Sequence, residues 1–342
     1  MTKIIVISSF YNRANFVDET MRGLIEQDHP DFKAFVVDDG SRDETFAMLC
    51  RHRSDKINVK RQENIGFVAT MASIISSTDS EYIAIQGSGD FSYPSRLSSQ
   101  AEYLDTHPDV AAVGCYLEVV STVSDYRAIH RPRIEADVHA QLIRANPFCH
   151  GEVMMRRSIY DAVGGYRPFF IYRQDLDLWF RMSEIGKLAV VPQILYRTYR
   201  LPGSVTESPR KYALAIVCRD FAIHCANERR RGCPDPLESI GPVSALVRPR
   251  SVTASQKLAY AARRRAVRGC REDARYLATA SVNEALTVSG IVTQIIIRLP
   301  GLAALRRVVV SSRKSAAMLC PRGCLRVPFS VAPGSNSESK AE

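Results

Sequence analysis

The chain lacks any hydrophobic run long enough to cross a bilayer. Its apolar stretch Ala285–Ile297 is 13 residues long, against the roughly 20 that a spanning helix needs. The N-terminus, MTKIIVISSF, puts no long apolar segment behind its one lysine, so no signal peptide is expected. Nine cysteines are present without a CxxC pair, and the odd number fits reduced thiols in a cytosolic protein. Cys320 and Cys324 are spaced CxxxC, but no second pair or histidine cluster follows, so the spacing reads as accidental. Acid is scarce in one place. Between Leu246 and Arg326 there are 16 Lys or Arg against 3 Asp or Glu, a net +13 in a chain whose total is +10. The rest of the chain is therefore slightly acidic. Aromatics are sparse in the same stretch, with only Tyr276 between Arg263 and Lys314. That argues against nucleic-acid binding, which wants aromatics or a motif among its cations.

What is there reads as a globular chain. Its 342 residues, 46% hydrophobic and 24% charged, suffice for one large α/β domain with an appendage or for two ordinary domains. Lys3–Ser9 is a β-branched run of the kind that forms a buried strand. Phe16, Val17, Thr20, Met21, Leu24 and Ile25 then recur at helical spacing. Lys33–Val37 predicts a second strand, and Ser41 with Glu44 a capping box opening a helix to about Arg53. A third strand at Ile57–Lys60, a helix at Phe67–Ser76 and a fourth strand at Glu81–Gln86 follow. Strands alternating with helices imply a mostly parallel sheet covered on both faces. Ligands in such sheets sit beyond the carboxyl ends of the strands, which directs attention to residues 8–11, Asp38-Asp39, Arg61 and Gly87–Asp90.

Beyond Tyr103 the rhythm loosens. Strands are expected at Val110–Val120, Glu152–Met155, Leu188–Val191 and Ile194–Arg200, with helices at Asp137–Arg144 and Asp175–Ile185. This reads as a second half wrapped onto the first sheet. From about Lys211 the chain turns helical, with a hairpin over Ala254–Leu286 around Gly269. Residues from about Arg326 read as a frayed tail.

The strongest local signal is VVDDGSRDET at 36–45, where two carboxylates leave a strand together. Acids there can accept hydrogen bonds from a base edge or ribose hydroxyls, or Asp39 and Ser41 only organise a turn and a cap. With VISSFYNRANF, RQENIGF, EYIAIQGSGDFSYPSRL, HGEVMMRR followed by GGYRPFF, QDLDLWFRM and YRLPGSVT in order along the chain, the sequence resembles family 2 glycosyltransferases of the GT-A fold over residues 3–205.

The resemblance implies an inverting transferase that moves a sugar from a nucleotide-diphospho-sugar, UDP by family habit, to a hydroxyl of a glycan or lipid-linked acceptor in surface polysaccharide synthesis. The catalytic domain would span 1–210, a basic helical region 211–325 and a flexible tail 326–342. Ser9, Tyr11 and Asp39 match donor-holding positions, with Asp39 on the base and Arg61 near the diphosphate. Asp175 matches the general base, a carboxylate facing the incoming hydroxyl, although Asp also caps helices. His150, Gln174 and Trp179 fall on the acceptor side, and a purely structural His150 is an equal reading. Gln174 stands where the family usually has a second acid, and Leu201 where it often has histidine.

The largest departure is at the turn, where Asp-x-Asp-Asp becomes Gly87-Ser88-Gly89-Asp90. Mg²⁺ or Mn²⁺ is normally held there by carboxylates and donor phosphates. Two outcomes are open. Asp90 serves as sole protein ligand, or the glycines let backbone N–H groups cradle the diphosphate beside Arg61. Activity with weakened or altered metal dependence is the expectation, and a non-catalytic nucleotide-sugar-binding subunit is the alternative. The apolar-basic segment 294–314 could lie on an anionic membrane without spanning it, or pack back as a solvated helix. The first reading places the protein in the cytoplasm, peripheral at the inner face of the membrane.

Overall fold

The computed structural model describes residues 2–122, 126–200, 208–298 and the pair Leu325–Arg326. The segment 299–324 with Cys320 and Cys324, the Leu201 position, and the tail after Arg326 lie outside the described residues.

The first half alternates as the sequence predicts: β1 (Thr2–Phe10), α1 (Val17–Ile25), β2 (Phe32–Asp39), α2 (Thr45–Cys50), β3 (Ile57–Gln62), α3 (Phe67–Ser77) and β4 (Ser80–Ile85). β1 pairs in parallel with both β2 and β4, and β2 in parallel with β3. Its side chains divide by parity, because successive residues of a strand point to opposite faces. Ile4 and Val6 join Met21, Leu24, Leu49 and Leu97 in one core, while Ile5 and Ile7 join Met71, Ile75, Trp179 and Phe180 in the other. Burying each such side chain stabilises the fold by about 1.5–3 kcal/mol, and with both faces covered the middle of β1 must be apolar on both sides.

The second half extends the same sheet. β5 (Phe91–Ser92), α4 (Arg96–Thr106), β6 (Val110–Ser121), β7 (Arg127–His130), α5 (Val138–Arg144), β8 (Met154–Arg156), α6 (Arg157–Ala162), α7 (Gln174–Ser183) and β9 (Lys187–Arg200) follow. β8 lies antiparallel between β4 and β6, joining the two halves. The two strands expected across Leu188–Arg200 are one, β9, held parallel to β6 with register shifts that absorb Pro192. Proline donates nothing to a ladder, so the irregularity replaces a break.

The predicted capping box at Ser41 does not form. α2 begins at Thr45 behind Glu44, and Ser41 Oγ instead accepts from the Asn12 amide at 2.9 Å, tying the loop after β2 to the loop after β1.

The remainder is helical: α8 (Pro209–Arg230), α9 (Pro236–Ile240), α10 (Ser244–Val247), α11 (Val252–Val267), α12 (Arg271–Glu284) and α13 (Val288–Arg298). Gly269 turns the α11–α12 hairpin at φ +85°, a conformation that costs glycine little. The helical run starts at Pro209, yet α8 is no detached appendage. Its Phe221 packs on Phe170, and its Ala226 enters the core around Trp179. The basic region is also not helical to its end, since β10 (Leu325–Arg326) pairs antiparallel with β7.

Candidate functional site

The carboxyl ends of β1, β2 and β4 lie side by side, and a path of contacts runs from there to His150, which feels the charge of Asp175. It starts at Asp39, which is 3% exposed. Asp39 Oδ1 accepts from Gln62 Nε2 at 2.8 Å and the Ile65 amide at 3.0 Å, and Oδ2 from the Gly66 amide at 2.9 Å. Gly66, at φ +83°, opens α3. The next residue, Phe67, meets the His150 ring edge-on at 5.3 Å. His150 Nε2 is 2.7 Å from Tyr166 Oη, and burial pushes its pKa down while Asp175 pulls it up. Asp175 itself is partly exposed and accepts from Asn146 Nδ2 at 2.7 Å. The structure therefore brings Asp39, His150 and Asp175 into one neighbourhood.

Asp175 is not a helix cap. The N-cap of α7 is Arg173, in the left-handed region at φ +61°, and Asp175 lies in the first turn. There the helix dipole favours a negative charge. The helix is clamped from behind by a buried network. Asp177 accepts from Arg167 Nε at 3.0 Å and Arg181 Nη2 at 2.8 Å, and Arg167 also reaches Asp235 at 2.8 Å. Two turns of α7 are thereby fixed against the 163–167 loop and the α8–α9 connection.

The Gly87–Asp90 turn borders the same space. A Cβ on Gly151 would fall 2.9 Å from the Gly87 nitrogen, so this turn and the residue after His150 are in near contact. The turn is a closed knot. Gly87 N donates to Tyr196 Oη at 2.9 Å, Gly89 N to Thr20 Oγ1 at 2.9 Å, and Asp90 N to the Gly87 carbonyl at 3.1 Å. Asp90 accepts from Tyr196 Oη at 2.8 Å and from the Tyr199 amide at 3.1 Å, and burial pushes its pKa up. Beneath it Arg96, fully buried, donates to Gln86, Ser92, Gln100 and the Ile85 carbonyl.

Three expectations are corrected by this geometry. The anion nest does not exist as imagined, because three of its N–H groups are already spent within the protein. Arg61 does not stand by the turn. It is on β3, three strand spacings from β4, roughly 14 Å across the sheet. There it pairs with Asp38 at 3.3 Å and donates to the Ser41 carbonyl at 2.8 Å. Trp179 is wholly buried against His150 and Phe148, so it supports the site from within and meets no acceptor.

Tyr11 is 46% exposed beyond β1, with Ser9 partly buried beside it. Ser88 and Gln174 are half-buried. For Mg²⁺ or Mn²⁺ the turn offers a single carboxylate, both of whose oxygens already accept hydrogen bonds. No group of three His, Cys, Asp or Glu comes together among the described residues. Such a donor set does not make a cation site by itself.

Sequence reasoning missed Asn146, Tyr166 and Tyr196. Each acts through a partner far away in the chain, Asp175, His150 and Asp90 respectively, and nothing local marks them. It also missed Glu152, which is fully buried below the turn with its Oε2 unpartnered and its pKa pushed well up by burial.

A mixed, mostly parallel sheet covered by helices on both faces, with a helical region after it, is the architecture of the GT-A class of glycosyltransferases. The comparisons agree. Residues 5–164 match the family model Glycosyl transferase family 2. The putative glycosyltransferase EpsE of Bacillus subtilis is 32% identical over 192 residues, covering 54% of this chain and 68% of that protein. The amylovoran biosynthesis glycosyltransferase AmsE of Erwinia amylovora is 22% identical over 198 residues, 56% of this chain and 74% of that one. Among solved structures, the mannosyltransferase PcManGT from Pyrobaculum calidifontis, in complex with GDP-Man and Mn²⁺, superposes with a TM-score of 0.52 at 20% identity, covering 92% of this chain and 88% of that one. Residues 1–349 of S. aureus TarS in complex with UDP-GlcNAc give 0.52 at 14% identity, covering 92% of each. The chain belongs to glycosyltransferase family 2, and it is an enzyme of that type.

Proposed function

We propose that the enzyme transfers a sugar, with inversion, from a nucleoside diphosphate sugar to a hydroxyl of a glycan or lipid-linked acceptor during surface polysaccharide synthesis. The observation that supports this reading is the run of contacts from Asp39 through Gly66 and Phe67 to His150, whose protonation Asp175 favours, so that a carboxylate on α7 lies in the neighbourhood of the strand ends. The names of AmsE and of the donor-bound neighbours point the same way.

In this reading Tyr11 and Ser9 flank the nucleotide, and Asp39 acts mainly by fixing the 62–66 loop against it. Asp175 accepts the proton of the acceptor hydroxyl as its oxygen attacks the anomeric carbon and the nucleoside diphosphate leaves from the opposite face. Asn146 holds the carboxylate in the orientation that attack needs. The amide of Gln174 keeps a second negative charge away from it. His150, kept neutral by burial, and Tyr166 wall the acceptor side. Transfer is only weakly dependent on Mg²⁺ or Mn²⁺, since the turn supplies one committed carboxylate. If EDTA abolishes transfer and micromolar Mn²⁺ restores it, that part is wrong.

Residues 1–210 form the catalytic unit, and the region 211–325 follows it, with its α8 packed on that unit. A peripheral contact with anionic membrane is supported by α13, whose Val288, Ile291, Val292 and Ile295 are exposed along one stripe. No helix among the described residues is long and apolar enough to cross a membrane. Co-sedimentation with anionic liposomes should fall for Ile291→Asp/Ile295→Asp, and equal pelleting would refute the contact.

The deciding experiment for function is donor turnover. Asp175→Asn should lose transfer and retain nucleotide binding. A non-catalytic binding subunit would show no turnover in the parent chain either.

A further inference from the structure

The acceptor side of the site carries a cluster of cations that the chemistry above does not use. Arg173 precedes α7 two residues before Asp175. Its neighbour Tyr172 packs against Cys218 of α8, so the next residue of α8, Arg219, comes alongside. On the far side of α8, Ala213 and Ile216 pack against Ala254 and Leu258 of α11, which brings in Lys257. The three charges are near enough that each of Arg219 and Lys257 is disfavoured by its cationic neighbours. Arg219 donates to the Ile143 carbonyl, three residues before Asn146, the partner of Asp175. The cluster and the base are thus linked through one short segment.

Its charge is not balanced locally. Asp220 is the acid near Arg219 and Lys257, and it already accepts from Arg248 at 2.8 Å. Arg248 in turn is shared with Glu284. Among the described residues, neither the Lys257 ammonium nor the Arg173 guanidinium has a hydrogen bond to a protein acceptor. Burial and the neighbouring cations push Lys257 down to about 8. Arg173 adds a second cost, because a left-handed φ of +61° is unfavourable for a side chain larger than glycine or asparagine. Like charges gathered in a half-buried place, on a strained residue, destabilise the free protein. An anion relieves the charge repulsion.

We propose that Arg173, Arg219 and Lys257 form a binding subsite for a phosphoryl or diphosphoryl group carried by the acceptor, joined to Asp175 through the start of α7 and the 143–146 segment. This rests on Asp175 being the base and narrows the acceptor to a phosphate-bearing one. Bidentate guanidinium contacts and a mobile ammonium are the usual recognition set for phosphate.

The test uses the full chain and inorganic pyrophosphate as the probe, by calorimetry, with the donor site filled by a saturating nucleoside diphosphate. Stabilisation by UDP or GDP reports the donor site separately. The parent should bind pyrophosphate, and Lys257→Met and Arg173→Asn should each weaken it about tenfold while keeping their thermal midpoints at or above the parent's. Affinity should fall as pH rises from 7 to 9 in the parent and stay flatter in Lys257→Met. Farnesyl diphosphate binding tighter than pyrophosphate identifies a lipid-linked source, and equal affinity a free phosphoryl group. Nucleotide stabilisation with pyrophosphate binding absent, or unchanged in both variants, overturns the subsite alone. Absence of nucleotide stabilisation overturns the proposed function instead, and pyrophosphate is then titrated without nucleotide under the same criteria.

Discussion

Putting back the first acid of the missing Asp-x-Asp, by Gly87→Asp, should damage the enzyme rather than restore a metal site. A Cβ at Gly87 would lie 2.3 Å from Asp90 Oδ2 and 3.0 Å from Tyr196 Oη. Neither atom can give way freely, because Tyr196 is fully buried and Asp90 is held by it and by the Tyr199 amide. Overpacking of this kind costs about 1–3 kcal/mol, and a broken hydrogen bond to a buried charged group about 1.5–3 kcal/mol more. The total is roughly 3–6 kcal/mol. At about 2.1 cal/mol/K of unfolding entropy per residue, over 342 residues, that lowers the melting temperature by about 4–8 °C. Differential scanning calorimetry measures it, and a Mn²⁺ titration of transfer run alongside should show no gain. Repeating the change in a Tyr196→Phe background removes the hydroxyl that pins Asp90. The two substitutions should then be non-additive by more than about 0.5 kcal/mol. A Gly87→Asp protein as stable as its parent, or one newly activated by Mn²⁺, would refute the reasoning.

Other expectations are as direct. Asp175→Asn should lower kcat about 10²–10⁴-fold, the span of positioned general-base catalysis, with nucleotide affinity intact by calorimetry; a lesser loss removes Asp175 from that role. Asn146→Ala should lower kcat about tenfold by freeing the carboxylate it orients, and a change confined to donor KM would contradict that assignment. Glu152 has its folded pKa raised, so the stability it contributes is complete below its ordinary 4.5 and lost as pH climbs through the raised value. Glu152→Gln should therefore stabilise by about 1 kcal/mol at pH 8 and by less at pH 5, measured by urea unfolding. His150 has its folded pKa lowered below 6.5, so its contribution is present above 6.5 and lost as pH falls through the lowered value. His150→Gln should flatten the stability profile between pH 6.5 and 5.

Much was legible along the chain. The order of β1 to β4, the placing of Asp39 and Asp175 at element ends and the α11–α12 hairpin follow from hydrophobic period, β-branching and glycine, all of which act locally. The mistakes cluster where a residue's partner is remote. Ser41 looked like a cap and instead ties two loops, since its hydroxyl found the Asn12 amide. Trp179 looked like an acceptor wall, but periodicity does not tell which face of α7 meets the sheet. Arg61 looked close to the turn because both follow strands, while strand order, invisible in sequence, separates them.

By itself the sequence determined that acids would gather at the end of a parallel sheet and that the acids of one turn were missing. What fills their place was decided only in three dimensions. Gly87 must be bare because a tyrosine more than a hundred positions later and a carboxyl three positions on converge upon it. Close packing leaves that volume no room for a side chain, and no local rule of spacing or propensity encodes which distant atoms will occupy it.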